Sequence, residues 1–296
     1  MTAAAGQAAV GFSPASLAVI VPTHDTRELT LRAVDCALAA GAAPGRVVVV
    51  DDGSHDGTAA ALAARFPGVR VLRNEAAEGF TRAANRGAAA SDGDPVLLLN
   101  SDTEVAPDGL ARLAAAFAAR PRLGIAGGHL VYPDGRPQWN GGRAPTLAWM
   151  AALGSGLPRL LGRLRPYRAL HPAARAGNVD WVSGAALAVR RRAWEEVGPF
   201  DERFRLYGQD LDLGVRARRA GWEVAVLPEV RVVHHHGATV RRQPEAGRLE
   251  ENPELLWTDL LRWWEKERGA AARRRAARAL LAGAALRLAG RSLALP

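Results

Sequence analysis

The 296-residue chain has a single cysteine, Cys36, which excludes an intrachain disulfide and suits a reducing compartment. It also lacks any run of the roughly 18 uninterrupted apolar residues that a membrane-spanning helix needs. The nearest candidate, ALLAGAALRLAGRSLALP at the end, is broken by Arg287 and Arg291. The opening MTAAAGQAAVGFSPAS has no basic start followed by an apolar core, so it does not read as a secretory signal. No internal repeat is visible. These absences leave a cytoplasmic protein as the expectation, with peripheral contact at the inner face of the plasma membrane kept open.

What is present is a large apolar fraction, 48%, enough for a sizeable core, and a net charge of +9 carried mostly by arginine. That charge favours acidic partners: nucleotides, nucleic acid or anionic lipid. Nucleic acid is not expected, because the first 240 residues lack interleaved aromatic and basic residues.

In the first half, apolar runs alternate with helical stretches. LAVIVPT, RVVVVDDGS, VRVLRN and PVLLLNSD read as strands, and ELTLRAVDCALAAG, GTAAALAARF and FTRAANRGAAAS read as helices between them. The pattern predicts a parallel sheet covered on both faces, with ligands beyond the carboxyl ends of its strands. In the second half, LGIAGGHLV and DWVSGAALAVRR read as strands, WEVAVLPEVRVVHHHG as two short strands around Pro228, and QDLDLGVRARRAG as a helix. Residues 139–178 read as a mobile loop region. From Pro253 onward the chain reads as helical, with Leu256, Leu260, Trp263 and Trp264 on one face.

Several strand ends are polar. Asn100 and Asp102, two apart, would share one side of a strand while Ser101 turns away, and their oxygens suit a hard cation such as Mg²⁺ or Mn²⁺. Taken alone, a plain turn opening the next helix explains them better. Asp51, Asp52 and Gly53 end another buried strand, where an Asp could accept a pyrimidine N–H or simply form a turn. Arg82, Asn85 and Arg86 could touch a phosphate or line a solvated helix face. Asp210 opens a helix, as a cap or as a general base, and Asp212 would pair with Arg216 on that helix's surface. His234 ends a strand and could bind a metal.

The order of VIVPTHD, VVVVDDGSHDGT, RNEAAEGFTRAANRGAAASDGDPVLLLNSDTEV and DWVSGAALAVRRRAWEEVGPFDERFRLYGQDLDLGVRARRAGW resembles the family 2 glycosyltransferases, and most closely a rhamnosyltransferase-like bacterial branch. The resemblance spans roughly residues 16 to 240. It implies the α/β GT-A fold: a Rossmann-like, mostly parallel central sheet flanked by helices, with a C-terminal helical extension. The implied layout is a flexible segment 1–15, a catalytic domain 16–245 and a basic helical extension 246–296. The catalytic domain would divide into a nucleotide-binding half of about 16–105 and an acceptor-binding half of about 106–245.

By the same resemblance, Pro22, Thr23, Asp25, Asp51, Asp52, Gly53, Arg82, Asn100 and Ser101 line the nucleotide site, and Asp102 and His234 hold Mn²⁺ or Mg²⁺. Asp210 is the base, while Trp181, Gly184 and Gln209 face the sugar or acceptor. Asn100 stands for the first Asp of the family's Asp-x-Asp pattern. Gln209 departs from the usual Glu and so removes a charge that would raise the base's pKa. The implied donor is a UDP- or dTDP-linked sugar and the acceptor a glycan or lipid-linked hydroxyl, in cell-surface polysaccharide synthesis. A homodimer is left open. Two other readings stand beside this one. A nucleotidylyltransferase would need a glycine-rich loop after the first strand, and PTHDTREL has no glycine. A nucleotide-sugar binding protein without catalysis fits the substitutions at Asn100 and Gln209.

Overall fold

The computed structural model describes residues 11–155, 177–204, 207–235 and 253–293. The expected segments 1–10 and 236–252, and positions 156–176 of the expected loop region, lie outside the described residues.

The first half follows the alternation read from the sequence: β1 (Ala18–Thr23), α1 (Arg27–Ala39), β2 (Val47–Asp52), α2 (Thr58–Arg65), β3 (Arg70–Asn74), α3 (Phe80–Ala89) and β4 (Val96–Leu99). Every residue of β1, β2 and β4 is buried, as continuous apolar runs require when helices cover both faces. Strand alternation sends Val19, Val21, Val47 and Val49 to one layer, and Ala18, Ile20, Val48 and Val50 to the other. Gly87 lets α3 lie directly on the sheet, since a Cβ there would collide with the Ile20 side chain.

There follow β5 (Thr103–Val105), α4 (Gly109–Ala119), β6 (Leu123–Val131), β7 (Gly141–Gly142), α5 (Leu147–Ser155), β8 (Gly177–Asn178), β9 (Trp181–Val182) and β10 (Ala186–Val189). The chain ends with α6 (Arg191–Val197), α7 (Gln209–Arg219), β11 (Glu223–His234) and α8 (Pro253–Leu293). The main sheet runs β3-β2-β1-β4-β10-β6-β11-β5, with β8 also on β11. The first four strands are parallel, while β10 enters antiparallel between β4 and β6. One sheet therefore passes through both expected halves, parallel in the first and mixed in the second.

Two expectations are corrected. Residues 223–234 form one strand, not two. Its pairing with β6 jumps from Leu227 to Arg231, so Pro228, which has no N–H to give, sits in an unpaired bulge. Within the expected loop region lies α5. Its sequence LAWMAALGS is apolar on all sides and so has no helical period to read, because it is packed against α8 on one side and the domain on the other. At that crossing, a Cβ on Gly154 or Gly283 would strike the backbone of the other helix. Helix α8 is bent at Gly269, whose φ is +80°. Trp263 and Trp264 are buried in one cluster with Trp181 and residues of α7, so the first part of α8 is packed into the rest of the fold.

Gly87→Val should lower unfolding stability by about 2 kcal/mol, because two methyls are forced between α3 and Ile20. The midpoint of chemical denaturation measures this, and an unchanged midpoint would contradict the close seating of α3.

Candidate functional site

The polar ends of β1, β2 and β4 meet along one edge of the sheet. Thr23 ends β1, and Pro22 before it sits beyond the stretch of β1 that pairs with β4, so no bond to that strand needs its missing N–H. The Thr23 hydroxyl lies 3.0 Å from that of Thr26 and 2.6 Å from that of Thr30, and Thr26 reaches Ser101 at 2.9 Å. Thr23 and Ser101 thus belong to a buried hydroxyl cluster that binds the start of α1 to the turn after β4.

Asp51 and Asp52 are buried and fully engaged. Asp51 accepts from Ser54 N at 2.9 Å and from Arg73 Nη1 at 2.6 Å. Parallel register sets Asp51 beside Arg73 and Asp52 beside Asn74, an ion pair that no local reading of β2 reveals. Asp52 accepts from Asn74 Nδ2 and from the backbone N–H groups of Glu78 and Gly79 at 2.6, 2.9 and 2.8 Å. These bonds draw the 75–79 loop over Gly53. Gly53 has φ +72°, and a Cβ there would lie 2.8 Å from the Ala76–Ala77 peptide. Asp25 takes φ +49°, a conformation Asp tolerates, and joins the next loop through Ser54 Oγ and His55 N.

Arg82 pairs with Glu202 at the surface, Arg86 bonds Asn74, and Asn85 holds Phe200 by both its amide atoms. These three residues tie α3 to the end of β3 and to the 200–202 segment.

Residues 100–102 form a turn rather than a strand continuation. Asn100 N–H donates to the Ala185 carbonyl at 3.0 Å. Asp102 is buried, its carbonyl accepts from His235 N at 2.9 Å, and its Oδ1 lies 3.3 Å from His234 Nε2. Gln138 was not anticipated from the sequence. Its Nε2–H donates to the His234 carbonyl at 2.5 Å, which turns Oε1 toward the ring, 2.8 Å from Nδ1. Nδ1 therefore carries a hydrogen, and Nε2 is turned toward Asp102. Nε2 and Oδ1, 3.3 Å apart, call for a proton or a cation between them. Among the described residues no cluster of three His, Cys, Asp or Glu side chains is gathered for a metal, and the Asp102–His234 pair supplies two groups that could hold one.

Asp210, in the first turn of α7, is linked to this turn through the consecutive residues Gly184 and Ala185. Gly184 N–H donates to its Oδ2 at 3.1 Å and Leu211 N–H to its Oδ1 at 2.8 Å, while Ala185, next to Gly184, holds Asn100. Burial lifts the Asp210 carboxyl from 3.8 to about 6, against the opposing pull of those N–H bonds. Gln209 beside it is buried, and its Oε1 has no hydrogen-bond partner among the described residues. Asp212 does pair with Arg216, but it is fully buried rather than at the surface and also binds Lys266 of α8 at 2.5 Å.

Trp181 is only 7% exposed, and its indole N–H donates to the Arg143 carbonyl. The accessible ring is Trp139, 40% exposed, which meets Trp181 edge-on with centroids 4.6 Å apart. Its neighbours in sequence are loop residues, so nothing local marked it.

Residues 18–198 match the sequence profile described as Glycosyl transferase family 2. An "N-acetylglucosaminyl-diphospho-decaprenol L-rhamnosyltransferase" of Mycobacterium tuberculosis is 35% identical over 221 residues, 68% of this chain and 70% of that protein. The "O-antigen biosynthesis protein RfbC" of Myxococcus xanthus is 30% identical over 241 residues, 78% of this chain and 18% of that protein. Among solved structures, GalNAc-T7 with UDP, GalNAc and Mn²⁺ superposes with TM-score 0.56 at 18% identity, over 74% of this chain and 43% of that one. Mannosyltransferase PcManGT of Pyrobaculum calidifontis, in complex with GDP-Man and Mn²⁺, gives 0.53 at 20% identity over 95% and 81%.

Gln138→Leu should release the His234 ring from its single tautomer. In metal-free protein, long-range ¹H–¹⁵N correlation should show a fixed hydrogen on Nδ1 in the parent and a mixture of ring states in the variant. Identical ring shifts would remove Gln138 from this role.

Proposed function

The chain belongs to glycosyl transferase family 2, and from that footing we propose an inverting transfer of a sugar from a nucleotide-sugar donor to an acceptor hydroxyl, with Asp210 as general base. The observation that carries this reading is the pairing of Gly184 with Asp210 and of Ala185 with Asn100, which sets a carboxylate of raised pKa beside the turn that ends in Asp102. With a pKa of about 6, Asp210 is mostly ionised at neutral pH yet basic enough to take a proton from an attacking alcohol. Its two backbone donors fix the carboxylate plane, so the proton is received without reorganisation. Gln209 Oε1 accepts a hydroxyl of the bound sugar or acceptor, which would satisfy its buried oxygen. Trp139 offers an apolar ring for a sugar face.

Asp102 and His234 fit a divalent cation, Mn²⁺ or Mg²⁺, as one oxygen and one nitrogen ligand. Bound there, the cation supplies charge neutralisation at a departing nucleoside diphosphate. The strand ends bearing Pro22, Thr23, Asp25, Asp51, Asp52 and Gly53 shape the nucleotide crevice, with Asn100 and Ser101 at its floor and Arg82 at its rim. The relatives' names support polysaccharide or envelope synthesis, transfer of a rhamnosyl group and a diphosphate-lipid-linked acceptor; UDP- and dTDP-linked sugars, with dTDP-rhamnose first, are the donors to test.

Asp210→Asn should reduce kcat/KM by about 10²–10⁴-fold while donor binding by calorimetry changes little. Equal turnover in the variant would end the base assignment, and donor binding without turnover in the parent would make this a binding protein. In the parent, activity rises with pH as Asp210 ionises, so kcat/KM should fall on the acid side with a midpoint near 6. Gln209→Glu adds a like charge, which disfavours Asp210 ionisation, so that midpoint should move upward. A downward or absent shift would separate Gln209 from the base.

A further inference from the structure

We propose that the second segment of α8, residues 270–289, docks the protein on an anionic lipid bilayer, lying in its interface rather than crossing it. The inference stands apart from the reading of the catalytic site. Ala272, Ala276 and Gly283 bury one side of this segment, Gly283 directly against the α5 backbone. The opposite side carries Leu281 and Leu288, exposed by 67% and 64%, while Leu286, three residues on from Gly283 and so flanking the α5 contact, is exposed by 70%; these are the most exposed large apolar side chains among the described residues. Arg274, Arg275, Arg278 and Arg287 are exposed with them. Arg274, Arg278, Leu281, Ala285 and Leu288 recur at steps of four, three, four and three, so they form one stripe along the helix. Leu147, also exposed, opens α5. Because Gly154 meets Leu280 and Gly283 meets Ala151, the two helices run antiparallel and the start of α5 lies toward the leucine end of the stripe.

Charge selects the occupant. From Gly269 to Pro296 the sequence has six arginines and no acidic residue. A second copy joined through this face would bring two such helices together, like charge against like. A nucleic acid would satisfy the arginines but leave the leucines in water. An anionic bilayer takes both, with headgroups meeting guanidinium groups and leucines entering the acyl boundary. No helix among the described residues is long and apolar enough to cross a membrane, which leaves the surface orientation. The first segment of α8 is fixed to the helix that carries Asp210. Lys266 binds Asp212, Arg219 pairs with Glu267, and Asp259 accepts from Tyr207 N. A docked α8 would therefore hold the cleft at a set height over the bilayer.

The test is co-sedimentation of the full chain with phosphatidylcholine vesicles, with and without phosphatidylglycerol, at low and high salt. Expected are binding only to the anionic vesicles, loss of most binding as salt rises, and at least a tenfold weaker partition for the triple variants Leu281/Leu286/Leu288→Ser and Arg274/Arg275/Arg278→Gln. These side chains are exposed, so both variants should melt like the parent, as circular dichroism would check. Equal binding to neutral vesicles, or unchanged binding by both variants, overturns the proposal. So does a parent dimer, seen by analytical ultracentrifugation, that the leucine variant abolishes. Duplex DNA binding that the leucine variant retains, without vesicle binding, overturns it as well.

Discussion

The hydrogen bond from Asn100 N to the Ala185 carbonyl couples two stretches far apart in the chain, and the geometry of the cleft depends on it. It extends the antiparallel ladder between β4 and β10, in which Ala186 faces Leu99. Because β10 runs against its neighbours, its leading end, Gly184 and Ala185, arrives where the parallel strands finish. Gly184 then offers its N–H to Asp210, and the carboxylate at the start of α7 comes to rest beside the Asn100–Asp102 turn. Had β10 entered parallel to β4, that end would lie on the opposite side of the sheet, and the two acidic positions would be separated by the thickness of the core.

The ends of β1 and β2 are held by polar groups rather than by packing. Buried carboxylates are costly unless fully bonded, and Asp51 and Asp52 meet that condition through Arg73, Asn74 and three backbone N–H groups. The same bonds position the loops at residues 53–56 and 75–79. The loops that form the crevice wall are thus ordered by the charges that end β2. The Thr23–Thr26–Thr30–Ser101 hydroxyls do the equivalent work between β1 and the turn after β4.

The C-terminal helix is part of this arrangement and not an appendage. Trp263 and Trp264 fill the space beneath Trp181, and Lys266 completes the buried Asp212 pair. Helix α7 is therefore supported from below by α8 and from the sheet by Gly184. That double support fixes the direction of the Asp210 carboxylate.

Much of this was legible in the chain itself. The apolar runs at 18–23, 47–52 and 96–99 are buried on both faces, so their composition alone announced a covered sheet. The capless polar ends of those runs, and their order, pointed to the family that the whole-chain comparisons support. Other features could not be read locally. The Asp51–Arg73 pair exists because of parallel register, the Gln138 grip on His234 because the loop after β6 meets the end of β11, and α5 because it packs against α8. Likewise Trp181, an aromatic residue in a promising place, is covered, and the exposed ring is Trp139. The sequence by itself determined which segments would be strands and where polar chemistry would end them, since those follow from local period and composition. Only the tertiary structure decided which of those polar ends face each other, because that is set by strand direction and register, which no single segment encodes.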